Sequence, residues 1–272
     1  MTETSHTEIL GFTLDIAREA GIYIRDERKR ANLTHTFKHD NELVTNADLQ
    51  ADRLLCDRIT QRFPAHLILS EESSPDLGRV EDIKGPLWII DPIDGTVNFA
   101  HGHIQSAVSV AFVNQQQVQV GVVYNPFTDE MFAAELGKGA TLNGRVINVA
   151  QQTELSRALI ATGFPYDKSN IAPLVARLQA ILAHCADIRR LGSAALDICW
   201  LAAGRLDGYY ESLSVWDFAA AQLVATEAGA RFGHFSAVPV GANPQFWGQD
   251  ILVANPALYP QLLDLLHAPT GS

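Results

Sequence analysis

Two aspartates three residues apart, Asp91 and Asp94, close an apolar run in the stretch LWIIDPIDGTVNF at residues 87–99. A buried strand that ends in two carboxylates must set them against something positive, because an unpaired buried charge costs several kcal/mol. The D-x-x-D spacing across Pro92 lets both carboxylates and the carbonyl of Ile93 face one point. Oxygen-only ligands of this kind suit Mg²⁺ rather than zinc. Gly95 and Thr96 come next, and backbone N–H groups at a helix start are a natural seat for phosphate.

Further acids join the candidate set. Glu71 and Glu72 follow the apolar run LIL, Asp217 stands between Trp216 and FAAA, and Asp48 lies three residues after Thr45. Taken singly, each has an ordinary structural explanation: a turn at Asp91 and Asp94, an acidic loop at Glu71, a helix cap at Asp48 and Asp217. The set as a whole points to metal chemistry. Competing motifs fail on spacing: the sixth position of a calcium loop begun at Asp91 holds Thr96 where Gly is required, and GKGATLNG lacks the order of a phosphate-binding Walker loop. His101 and His103 are two residues apart and read as structural.

The elements that must carry these residues show in the periodicity. Apolar positions from Leu10 to Ile24 predict an amphipathic helix over 8–32, and a second helix begins near LVTNADLQADRLLCDRITQRF, where Thr45 and Asp48 have capping-box spacing. HLILSEES and GPLWIIDP predict short strands ending in acids, and SAVSVAFVNQQQVQVGVVYNP predicts a hairpin. Beyond residue 150, strand and helix patterns alternate: ALIATGFP, IAPLVARLQAILAHCA, LGSAALDICWLAAGRLDGYYE and VWDFAAAQLVATEAGA. The division expected is an α+β region over 1–150 carrying most of the acids and an α/β region over 151–272 carrying Asp217.

Composition bounds the function. A chain of 272 residues with a formal charge of -11 has 20 Lys and Arg against 31 acids, which argues against a nucleic-acid partner. The polar, acidic start and the lack of any apolar run near the ~20 residues that cross a bilayer lead to the expectation of a cytoplasmic protein with no membrane partner. Cys56, Cys185 and Cys199 have no paired or metal-binding spacing and read as reduced packing residues.

EES at 71–73, DPIDGT at 91–96 and WDFAAA at 216–221 together resemble the signature segments of the inositol monophosphatase family, Mg²⁺-dependent and lithium-sensitive phosphatases. LVTNAD, GVVYNP, GKGATLNG, LGSAALD and DGYYE follow in the family's order, so the resemblance runs nearly end to end. It implies a layered α/β/α/β/α sandwich of the sugar-phosphatase type and a homodimer acting on a small phosphomonoester.

Residue by residue, the resemblance implies that Glu71, Asp91 and the carbonyl of Ile93 hold a first Mg²⁺ and that Asp91, Asp94 and Asp217 hold a second. Thr96, oriented by Asp48, would prepare the attacking water beside Glu71, and Gly95 and Thr96 would bind phosphate. Gly192, Ser193, Ala194 and Glu211 would contact the substrate, and Lys38 resembles a family lysine near a metal loop. One departure stands out: four residues, SLSV, separate Glu211 from Trp216 where many inositol-specific members have five. Inositol monophosphate is the substrate expected. Histidinol phosphate, fructose 1,6-bisphosphate and 3′-phosphoadenosine 5′-phosphate are rivals on the same fold, and a catalytically idle regulatory protein is the rival from another class.

Overall fold

The computed structural model describes residues 5–30, 35–37, 43–166 and 168–267; Lys38 lies outside them. Five layers stack in the order helix, sheet, helix, sheet, helix. This is the layered sandwich expected from the sequence.

The outer layer is α1 (His6–Lys29) with α2 (Asn46–Arg62), packed on a seven-stranded sheet. That sheet runs through β3 (Leu67–Ser70), β4 (Leu87–Asp94), β5 (Ala107–Asn114), β6 (Gln117–Asn125), β7 (Glu130–Glu135), β8 (Ala140–Leu142) and β9 (Arg145–Val146) in chain order. Every neighbouring pair is antiparallel except β3 with β4. A small antiparallel pair, β1 (His35–Phe37) with β2 (Leu43–Thr45), precedes α2.

Alternation along β4 shows why its apolar run is continuous. Trp88 and Ile90 face α1 and α2, while Leu87 and Ile89 face the middle helices, so both faces are buried. Those middle helices are α5 (Ala194–Ala202) and α6 (Val215–Glu227), short apolar segments rich in Ala that let the sheets approach. Gly121 on β6 shows how tight the packing is, since a β-carbon there would collide with the backbone of Ala220.

On the far side lies a five-stranded sheet in the order β11 (Asp187–Arg189), β10 (Leu159–Thr162), β12 (Gly208–Glu211), β14 (Ile251–Ala254), β13 (Arg231–His234). Its outer face is covered by α4 (Ala172–His184) and α7 (Tyr259–His267). A helix of one turn, α3 (Thr96–Ala100), follows β4. The two sheets separate near residue 150, yet their inner faces join one core through α5 and α6, where Ile89 and Ala111 of one sheet and Ala161 and Tyr209 of the other belong to a single cluster.

Candidate active site

The acids of β4 meet because the strand breaks its own alternation. Residues three apart on a regular strand point to opposite faces. Here Asp91 pairs with Ser109 and Asp94 with Ala107, so three steps on β4 match two on β5, and the extra residue restores both carboxylates to one side. Pro92, which has no N–H to give a ladder, sits in this irregular step, and Asp91 Oδ1 accepts from Ile93 N at 2.9 Å. Gly95 then turns the chain at φ 93°, where a β-carbon would lie 2.8 Å from the Gln105 carbonyl and 2.9 Å from that of Gly192. Glycine is required there for both conformation and space.

Asp217 arrives from the opposite side of the core as the third residue of α6. Its Oδ2 accepts from Ser214 N at 2.9 Å in a capping box, which fixes the carboxylate at the helix start. Among the described residues, Asp91, Asp94 and Asp217 offer oxygens that all lie within 4.8 Å of one another, a spacing suited to a shared cation. Glu71, one residue past β3, hydrogen-bonds with Asp91. Burial first, then the charges of Glu71, Asp94 and Asp217, push the Asp91 carboxyl well above its usual range. Acids gathered at such electrostatic cost fit a group of divalent cations bound by hard oxygens.

Asp94 is gripped by α5. Ser193 Oγ donates to its Oδ2 at 2.5 Å, Ala195 N to the same oxygen at 2.8 Å, and Ala194 N to Oδ1 at 3.3 Å. Burial still raises its carboxyl to about 6 against these lowering bonds. Gly192, Ser193 and Ala194, expected from the resemblance to contact substrate, do line the cavity, but the polar groups of Ser193 and Ala194 are directed to Asp94.

Thr96 and Asp48 also meet. Thr96 Oγ1 lies 3.0 Å from Asp48 Oδ1 and 3.1 Å from the carbonyl of Ile93, two acceptors for its single proton. The other carboxylate oxygen, Oδ2 of Asp48, accepts from Thr45 N at 2.9 Å and from Thr45 Oγ1. Asp48 is therefore a helix cap and a partner of Thr96 at once. Burial raises its carboxyl, and the bonds from Thr45 and Thr96 oppose that rise.

The cavity above these acids has a volume of about 470 Å³, and its far wall is built by the second sheet. Glu211, at the end of β12, reaches it despite the short SLSV connection. Leu213 N is tied to Gly248 O at 2.7 Å, and a glycine at 248 leaves room for the Leu213 carbonyl. The Glu211 carboxylate rests on Gly163, where any β-carbon would collide with both oxygens, and Tyr209, two residues back on the same face, donates its hydroxyl to Oε2. Burial lifts Glu211 to about 7, with Tyr209 and Arg190 pulling it down.

Asp197 and Arg190 are cavity residues outside the set of substrate contacts expected from the resemblance. Asp197, inside α5, is 1% exposed, and its Oδ1 has no hydrogen-bond partner among the described residues. Burial, then Asp94 and Glu211, hold its carboxyl well above the usual range. The signal was present: an acid in the apolar segment AALDICWLA. Arg190 also lines the cavity, 5.4 Å from the Phe164 ring centroid, whereas its neighbour Arg189 pairs with Asp187 on the surface. His101 does not join the acids, since its Nδ1 lies 2.9 Å from the Val97 carbonyl of its own helix.

The family model of the inositol monophosphatase family matches residues 5–269. A relative from Vibrio cholerae, named Nus factor SuhB, is 41% identical over 82% of this chain and 83% of its own length. Among solved structures, an extragenic suppressor protein SuhB from Bartonella henselae superposes with a TM-score of 0.88 at 33% identity, covering 96% of this chain and 99% of that one. An IMPase from Thermotoga maritima gives 0.84 at 30% identity, covering 95% and 96%. The name Nus factor SuhB carried by the Vibrio relative overturns the expectation of no direct nucleic-acid binding. Net charge averages over the whole surface and does not decide what a local patch or a protein contact can recruit. No helix among the described residues is long and apolar enough to cross a membrane.

Proposed function

The chain belongs to the inositol monophosphatase family, and from that premise we propose that it is a Mg²⁺-dependent phosphatase acting on polyol monophosphates, with inositol monophosphate as its substrate. The observation that carries this reading is the cluster of Asp91, Asp94 and Asp217 at the floor of a cavity that also holds Glu71 and Thr96. Glu71, Asp91, Asp94, Asp217 and the carbonyl of Ile93 would hold the cations. Magnesium bound there would neutralise the acids and the phosphate dianion and lower the pKa of a water molecule.

The chain's own groups supply the rest. Asp48, fixed by its two bonds to Thr45, keeps an acceptor on the Thr96 hydroxyl, so that the Thr96 oxygen can take a proton's share from the attacking water and orient it. Ser193, Ala194 and Ala195 hold Asp94 at one rotation, which fixes the direction of its remaining lone pairs. Gly95 and Thr96 would bind phosphate oxygens. Glu211 faces the alcohol as an acceptor for ring hydroxyls, and its charge disfavours a second phosphate, which ranks inositol monophosphate above the bisphosphate rivals. A phosphate-release screen over a panel of phosphomonoesters with Mg²⁺ tests the reading. Release from inositol 1-phosphate ahead of 3′-phosphoadenosine 5′-phosphate and histidinol phosphate is expected; no release from any of them removes it.

A second reading is favoured by the name of the Vibrio relative: a transcription-related role carried by the surface and not by catalysis. Capture of the transcription machinery of the source cell by the wild type and equally by Asp94→Asn would support it as separate from hydrolysis. Absence of capture would leave phosphatase activity alone.

A further inference from the structure

A second cavity of about 290 Å³ lies behind Glu211 and plays no part in the chemistry above. It shares a wall with the active-site cavity, made by Gly163, Pro165, Glu211 and Ser212. Both open at the carboxyl ends of the parallel strands β10 and β12, the place where sheets of this kind receive ligands. Alternation along β12 divides the work. Tyr209 lies on the face turned to the middle helices, with its hydroxyl on Glu211 in the shared wall, and Tyr210 lies on the outer face, where it lines the second cavity with Phe235 at the end of β13.

Its lining is specific about what it would accept. Pro173 and Leu174 of α4 and the ring of Phe235 give an apolar surface. Two buried donors are unspent: no acceptor among the described residues takes the proton of the Tyr210 hydroxyl, in a residue 4% exposed, or that of Arg177 Nε. A buried donor left unpaired costs stability, so folding alone does not favour leaving them there. Burial raises the Tyr210 hydroxyl to about 12, which keeps it a donor. Arg177 lies 4.6 Å over the Phe235 ring, and its Nη2 is 3.8 Å from Asp250 Oδ1. With Asp250 facing Arg177 and Glu211 in the wall, a second phosphate would meet two acids. An uncharged group with acceptor oxygens and an apolar ring would meet two free donors and a matching surface.

We propose that this cavity is a second subsite, filled by an uncharged, acceptor-bearing extension of the same alcohol whose phosphate sits at the acids. The proposal rests on the phosphatase reading and narrows it to alcohols larger than a single polyol ring. Two phosphoesters that differ only in the extension test it: inositol 1-phosphate and its 4-O-benzoyl derivative, whose benzoyl group leaves the ring opposite the phosphate. Wild type should hydrolyse the benzoylated ester with the higher kcat/KM. Tyr210→Phe should lower that kcat/KM about fivefold through KM, leave plain inositol 1-phosphate within about twofold, and leave Tm unchanged or raised, because the hydroxyl it removes has no partner to lose. Phosphate-free 4-O-benzoyl-inositol should inhibit competitively.

Equal losses on both esters, no loss on either, a fallen Tm, or non-competitive inhibition would each overturn the subsite. If wild type releases phosphate from neither ester, the phosphatase reading has failed by itself. Calorimetric binding of the benzoylated ester to wild type and Tyr210→Phe then decides the subsite: weaker binding to the variant upholds it, and equal binding removes it.

Discussion

The two ends of the active-site cavity are both lined by carboxylates, but they are built in opposite ways. At the end proposed to take the phosphate, four of the acids also serve the backbone: Asp48 and Asp217 cap helices, Asp91 closes a turn on Ile93, and Asp94 takes three bonds from α5 and its cap. At the end proposed to take the alcohol, Glu211 has the Tyr209 hydroxyl, and one oxygen of Asp197 has no partner among the described residues. The first arrangement fixes geometry in advance, which phosphoryl transfer requires. The second leaves hydrogen-bonding capacity buried and unused, which costs stability and gives a ligand something to satisfy.

Variants that attack the two ends should therefore fail in different ways. Asp94→Asn, at the phosphate end, is expected to lower kcat more than about a thousandfold, the several kcal/mol of charge stabilisation supplied by a properly held cation. Phosphate release and a thermal melt check it together; near-normal turnover with an intact fold would remove Asp94 from the chemistry. Next in size, Thr96→Ala should cost about a hundredfold in kcat with little change in Tm. Its control is Thr45→Ala, which should cost about 1 kcal/mol of stability and little rate. Were the two variants to show the same small rate effect, Asp48 would be a cap and nothing more.

At the alcohol end, effects should be smaller and fall on binding. Glu211→Gln is expected to lower kcat/KM for inositol 1-phosphate by about tenfold, the range of a lost charged hydrogen bond, while sparing glycerol 2-phosphate. Losses on both substrates alike would erase the distinction between the two ends.

The smallest expected effect is on stability. In the folded protein Asp94 is raised to about 6 from 3.8 and Glu211 to about 7 from 4.5, both chiefly by burial. A carboxyl raised by folding binds its proton more tightly in the native state, so stability is retained at low pH and lost as pH climbs through the folded pKa. With chelator present, Tm should rise as pH is lowered from 7.5 to 5.5. Mg²⁺ should flatten the part owed to Asp94 and leave the part owed to Glu211. A chelated protein with a level or opposite profile would show that these acids are not strained by their burial.

How much of this was legible follows the range of each interaction. The capping box of Thr45 and Asp48 lies within one turn of α2, and the sequence showed it because i to i+3 contacts are local. The apolar run of β4 announced a strand buried on both faces, and the amphipathic pattern before residue 30 announced α1, found at His6–Lys29. The family motifs gave the layered fold. By contrast, the same-side placement of Asp91 and Asp94 depends on pairing with β5, since the bulge exists only relative to a partner strand.

The types and spacing of the acids, their local caps and the period of each element were determined by the sequence alone, because backbone geometry couples neighbours directly. Which acid is satisfied and which is left open was decided only by tertiary structure. Ser193 reaches Asp94 across 99 residues, Arg190 enters the cavity while Arg189 stays on the surface, and Asp197 is buried at the cavity wall in the helix layer between the two sheets. No local rule sets those partners: they follow from how two sheets and the helices between them close on one core, and that closure places a pair of unused donors behind Glu211.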